Sequence, residues 1–112
     1  MRLFESTKES RRSTRVSLEV SIDVEDEASK ETITGITQVV NLHGALVRTT
    51  RPLKRRSEIY VTVYITGKKS RARVVHVADE NPLKAGIELE MPQNIWGVSL
   101  APDDWDEVEQ HH

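Results

Sequence analysis

Val16-Ser17-Leu18-Glu19-Val20-Ser21-Ile22-Asp23-Val24 carries an aliphatic side chain at every second position, with polar residues between. Successive side chains of a strand point to opposite faces, so this spacing predicts a strand with one face in a core and one in water. Outward from it, residues 25–30 are acidic and polar and read as a loop. Residues 32–40, rich in Thr, Ile and Val, predict a second strand, in which Gly35 marks a bulge or bend. Asn41 to Gly44 form a short turn, because Asn and Gly tolerate positive φ, and residues 45–49 resume an extended pattern. Residues 58–66 predict a strand with Ile59, Val61, Val63 and Ile65 on one face and Tyr60, Thr62 and Tyr64 on the other. Gly67, Lys68 and Lys69 make a hairpin turn into residues 71–78, whose alternation slips at Val74-Val75 and implies a bulge. Ala85, Ile87 and Leu89 define the last strand. Six short strands with no long helix between them point to an all-β fold, a six-stranded antiparallel barrel, whose closure removes exposed strand edges.

The chain divides around that barrel. Residues 1–15 show no period and read as a flexible basic N-terminal arm, residues 16–91 as the barrel, and residues 92–112 as a C-terminal extension. In the extension, residues 93–97 suggest a helical turn, and Asp103 is a cap-like residue before a few weakly helical ones. A length of 112 residues fits one domain, and with aromatics at 4% the core rests on Val, Ile and Leu. There are no cysteines, which removes disulfide and thiolate chemistry and fits a reducing compartment. No apolar run approaches a membrane span and the polar N-terminus lacks a secretory stretch, so the expectation is a soluble cytoplasmic protein.

The net charge of −2 conceals segregation. Between Arg48 and Arg73 nine basic residues face only Glu58, whereas the C-terminal part is acidic. Such blocks make either a positive face able to hold an anion or two halves that attract each other. Catalysis has little support, and the sequence points to a binding module rather than an enzyme. No phosphate-cradling Gly-rich loop is present, and His43 and His76 belong to no metal-ligand spacing.

The informative residues are Arg11-Arg12-Ser13-Thr14-Arg15, immediately before the first strand, and the turn Val39-Val40-Asn41-Leu42-His43-Gly44-Ala45-Leu46. Arg presents a planar fork that pairs with phosphate through two hydrogen bonds and stacks on bases. With six strands in this order and the late segment Ala85-Gly86-Ile87-Glu88-Leu89, these elements resemble a PilZ domain, the bacterial module that commonly binds cyclic di-GMP. The resemblance runs from about Arg11 to Trp105. The family's RxxxR motif matches Arg11 and Arg15, with Arg12 as the extra basic neighbour, which in the family favours a stacked pair of ligand molecules. Its [D/N]xSxxG motif keeps Gly44 but has Val39 at the acidic or amide position and Asn41 at the serine.

The resemblance implies a cyclic di-GMP receptor that relays binding to an unidentified protein partner. Arg11, Arg12 and Arg15 would hold the dinucleotide, with Asn41, His43 and Gly44 as the opposing wall and no cofactor or metal required. Asn41 can still donate and accept hydrogen bonds, whereas the Val39 side chain contacts no guanine edge. A second reading is a degenerate PilZ-like adaptor that binds protein and no nucleotide, with Trp96 and Trp105 either as partner anchors or, the favoured alternative, packed across the barrel. A third is a nucleic-acid-binding barrel in which Tyr60 and Tyr64 stack bases beside the basic stretch. Overall acidity and few aromatics weigh against it.

Overall fold

The structure, a computed structural model, describes residues 13–105. Its strands are β1 (Val16–Ser17), β2 (Ser21–Asp26), β3 (Thr32–Asn41), β4 (Gly44–Thr49), β5 (Glu58–Val63), β6 (Lys69–Val77) and β7 (Lys84–Leu89). Antiparallel neighbours follow the order β3-β2-β5-β6-β7-β4, and β4 pairs back onto β3. Six strands therefore close a barrel. β1 lies outside that ring, beyond the end of β2 and on the same edge of β3.

The alternation that decides the fold survives, although its strand is broken. Ile22 and Val24 are buried, and Val16, Leu18 and Val20 pack against the same core. Regular pairing nevertheless stops after Ser17 and resumes at Ser21. The cause is Thr37, which is fully buried. Its hydroxyl accepts the Val20 N–H at 2.9 Å and donates to the Leu18 carbonyl at 2.6 Å. A side chain thus takes the place of a ladder rung, as hydroxyl residues do when they compete with backbone pairing. Next to it the β3–β4 register shifts between Thr37 and Val39. The irregularity in β3 therefore lies beyond Gly35, where the sequence had placed it. Gly35 itself stays in register between Ile22 and Thr49. A Cβ there would stand 2.8 Å from the Arg48 carbonyl oxygen, so its glycine serves a close approach of strands.

The slip at Val74-Val75 is a bulge: the β6–β7 register shifts between Val74 and His76, and both Val75 and His76 face outward. β5 ends earlier than its pattern predicts. Ile59, Val61 and Val63 are buried, but Ile65 is 77% exposed. The hairpin closes at Val63, whose carbonyl accepts the Gly67 N–H at 2.8 Å and whose N–H donates to the Lys68 carbonyl at 2.9 Å. Gly67, with φ +70°, supplies the left-handed residue this loop needs.

The barrel interior is aliphatic, and the C-terminal extension closes it. Trp96 and Trp105 are 0% and 1% exposed, so they are packed residues and not partner anchors. Fully burying one Val, Leu or Ile is worth about 1.5–3 kcal/mol, and the larger aromatic surfaces contribute more. Residues 93–97 form no helical turn. They make a loop organised by Asn94, whose Oδ1 accepts the Gly97 and Val98 N–H groups at 3.2 and 3.3 Å. Among the described residues, helical ones occur only at 103–105. No helix among the described residues is long and apolar enough to cross a membrane.

Candidate functional site

The site is built from the turn that joins β3 to β4. Asn41 Oδ1 accepts the N–H groups of His43 and Gly44 at 2.8 and 2.9 Å, a side-chain mimic of a backbone turn. Leu42 points into the barrel, and its carbonyl accepts the Gln93 N–H at 2.9 Å. The His43 carbonyl accepts the Leu89 N–H at 2.7 Å, and the Asn41 carbonyl accepts the Trp96 indole N–H at 2.8 Å. The turn does not use the positive φ that its Asn and Gly suggested; the described residues with positive φ are Lys30, Arg56, Gly67 and Gly97. Gly44 is required for another reason. A Cβ on it would lie 2.0 Å from the Ile87 carbonyl oxygen, so β4 and β7 touch there backbone to backbone.

Beside the turn, an open groove of about 520 Å³ runs over the outer wall of the barrel. Arg15, Val39, Asn41, His43 and Gly44 all line it. Its floor follows from strand register: Val39 of β3 faces Leu46 of β4, which faces Gly86 of β7, which faces His76 of β6. Gly86 has no side chain to fill the space between Leu46 and Val75, and that gap deepens the trough. Glu88, opposite Gly44, adds a carboxylate to the same lining. The sequence patterns that contain Leu46, Val75, Gly86 and Glu88 did not mark them as site residues. The slip at Val74-Val75 was the one signal that could have found Val75, since a bulge turns an extra side chain outward.

Arg11 and Arg12 lie outside the described residues. The last residues of the arm are anchored, contrary to the expectation of a flexible arm through residue 15. Ser13 is 2% exposed and its Oγ accepts the Leu42 N–H at 3.2 Å. The Ser13 carbonyl accepts from Asn41 Nδ2 at 3.5 Å. Both ends of the Asn41 amide thus make contacts within the protein, and those contacts shape the turn.

The basic stretch is partly neutralised by ion pairs. Arg71 meets Glu27 at 2.8 Å and Glu90 at 3.7 Å, Arg73 meets Glu58 at 2.9 Å, and Arg51 pairs with Glu31. Arg48 and Lys84 face each other in register on the outer wall, without a carboxylate partner among the described residues. The tyrosines are engaged too. The Lys69 ammonium sits 5.2 Å from the Tyr60 ring centre, and Tyr64 Oη donates to Asp23 Oδ1 at 2.7 Å. No group of three or more His, Cys, Asp or Glu among the described residues is placed to hold a metal.

That hydrogen bond to the Asp23 carboxylate, reinforced by slight desolvation and by the negative charge, raises the Tyr64 phenol above its ordinary pKa of 10.0. A raised folded-state value means that the stabilisation is fully present below pH 10.0 and is lost as pH rises through the higher value. An ultraviolet titration of Asp23→Asn is expected to show Tyr64 ionising at lower pH than in the parent protein. An unchanged curve would mean that the contact does not persist in solution.

No family model matches the sequence, and no curated protein matches it. Among solved structures it is similar to the crystal structure of the PilZ domain of CeSA from a cellulose-synthesizing bacterium. That likeness has a TM-score of 0.59 at 18% identity, covering 72% of this chain and 84% of the other. At such an identity the likeness speaks to architecture alone. The chain has a PilZ-like fold, an all-β barrel closed by six antiparallel strands.

Proposed function

We propose that this domain is a cyclic di-GMP receptor that catalyses nothing, works in the cytoplasm and relays ligand binding to a protein partner. The observation that carries the reading is that one groove unites Arg15, from the arm, with Asn41, His43 and Gly44. A guanidinium at the rim suits the dinucleotide's phosphates, and Arg11 and Arg12 stand four and three residues before it. Val39 and Leu46 offer an apolar wall to the face of a base. Because Val39 is apolar and the Asn41 Oδ1 is engaged by the turn, the phosphates supply most of the attraction, and binding weakens as salt is raised.

Calorimetric titration with cyclic di-GMP at modest salt tests this. The parent protein is expected to bind in the micromolar range, and Arg15→Ala to bind at least about tenfold more weakly, a difference of ~1.4 kcal/mol. GMP, with one guanine and one phosphate, is expected to give no comparable heat. Silence up to about a millimolar, ~−4 kcal/mol of binding free energy, would remove the receptor reading. It would favour the second reading, a PilZ-like interaction module without nucleotide. The observation supporting that module is an exposed apolar pair in the same trough, Leu46 at 38% and Val75 at 48%.

A further inference from the structure

Thr14 has three polar groups able to bond, and two consecutive residues of the C-terminal extension take all of them. Its N–H donates to Asp104 Oδ1 at 3.1 Å, its hydroxyl donates to Asp104 Oδ2 at 2.8 Å, and its carbonyl accepts the Trp105 indole N–H at 2.8 Å. These contacts join residues 90 and 91 positions apart. Trp105 is 1% exposed, so its ring is fixed in the barrel while its N–H reaches the arm. On the other side, Ser13 is held by the Leu42 N–H and the Asn41 amide. The chain entering β1 is therefore clasped between the β3–β4 turn and the extension, and the residue that emerges from the clasp is Arg15, at the groove.

We infer that Asp104 and Trp105 are positioning residues for the arginine arm, and that the extension they belong to senses whether the groove is occupied. This rests on the receptor reading above. Arg15 is one peptide from Thr14, and Arg12 is two away. A ligand that fixes the arm must favour the clasped state of Thr14. By thermodynamic reciprocity, whatever factor the clasp adds to ligand affinity, the ligand adds to the clasp. The C-terminal segment is thereby an output element, held more tightly when the groove is filled.

The sign of one substitution separates this role from plain electrostatics. Asp104 is a carboxylate beside a basic arm, so on charge alone Asp104→Ala strengthens binding of an anion. Positioning demands the reverse. Asp104→Ala is expected to weaken cyclic di-GMP binding about five- to tenfold, whereas Asp104→Asn, which keeps an acceptor for the Thr14 N–H, is expected to stay near the parent protein. Trp105→Phe keeps a packed ring and removes the N–H, and is expected to fall between them.

In the ligand-free protein, amide hydrogen exchange at residues 13–15 is expected to quicken about tenfold in Asp104→Ala, with β5 and β6 unchanged. Equal or tighter binding by Asp104→Ala, or unaltered exchange at residues 13–15, overturns the inference. Should the parent protein bind no cyclic di-GMP, the receptor reading falls by itself. The exchange result then decides alone whether the extension holds the arm.

Discussion

Gly44→Ala is expected to lower stability by about 3 kcal/mol or more, seen as a fall of roughly 15 °C or more in the thermal midpoint. The added methyl has no rotamer to escape into. Its carbon would lie 2.0 Å from the Ile87 carbonyl oxygen, 3.0 Å from the Ile87 carbonyl carbon and 3.1 Å from the Glu88 Cα. All three are backbone, so relief requires moving β4 away from β7. Those two strands form one of the six seams of the barrel, and the affected residues include the Gly44–Glu88 and Ala45–Ile87 pairs. Small domains have about 5–15 kcal/mol in reserve, so the variant is expected to be marginal or unfolded at growth temperature. Gly86→Ala is the matched control, because its added carbon would meet only ordinary contacts at 3.6 and 3.8 Å. Equal stability of the two variants would refute the close-approach explanation for Gly44.

Trp96→Ala is expected to cost about 3–5 kcal/mol, the range for deleting a large buried aromatic. Trp96 is fully buried, and it does two jobs that separate variants can distinguish. The ring fills space at the barrel end beside Ile95, which is 1% exposed. The indole N–H satisfies the Asn41 carbonyl at the start of the turn. Trp96→Phe retains most of the first contribution and loses the second, leaving a polar group with no donor, for about 1–3 kcal/mol. Denaturant unfolding of both variants gives the partition. If Trp96→Phe matches the parent protein, the hydrogen bond to Asn41 adds nothing and the turn is held by its Asx contacts and by its bonds to Ser13, Leu89 and Gln93.

Much of the barrel was legible because strand periodicity is local. The aliphatic alternation before Val24 and at Ile59, Val61 and Val63 names the inner wall directly, and two adjacent valines at 74 and 75 betray a bulge. What escaped depends on neighbours distant in sequence. Nothing around Thr37 announces that its hydroxyl replaces a rung of the ladder, because threonine is ordinary on either face of a strand. Ile65 continued a correct pattern past the point where the hairpin turns, and its exposure is set by loop geometry at Gly67, not by hydrophobicity. In the groove, Arg15, Asn41, His43 and Gly44 were within reach of motif reading. The place of Gly86 and Val75 in it was not, since they join it through register between strands that lie some thirty to forty residues further along the chain. The occupation of the Asn41 amide by Ser13, His43 and Gly44 is likewise a property of the assembled turn.

The hold of Asp104 and Trp105 on Thr14 also has an architectural consequence. It brings the place where the chain enters the barrel alongside the place where it leaves. A fold whose entrance and exit adjoin can be spliced into a surface loop of a larger protein without prying that host apart. In such a cassette, a change at the clasp would be felt by both flanking segments at once, through a doorway a few ångströms wide.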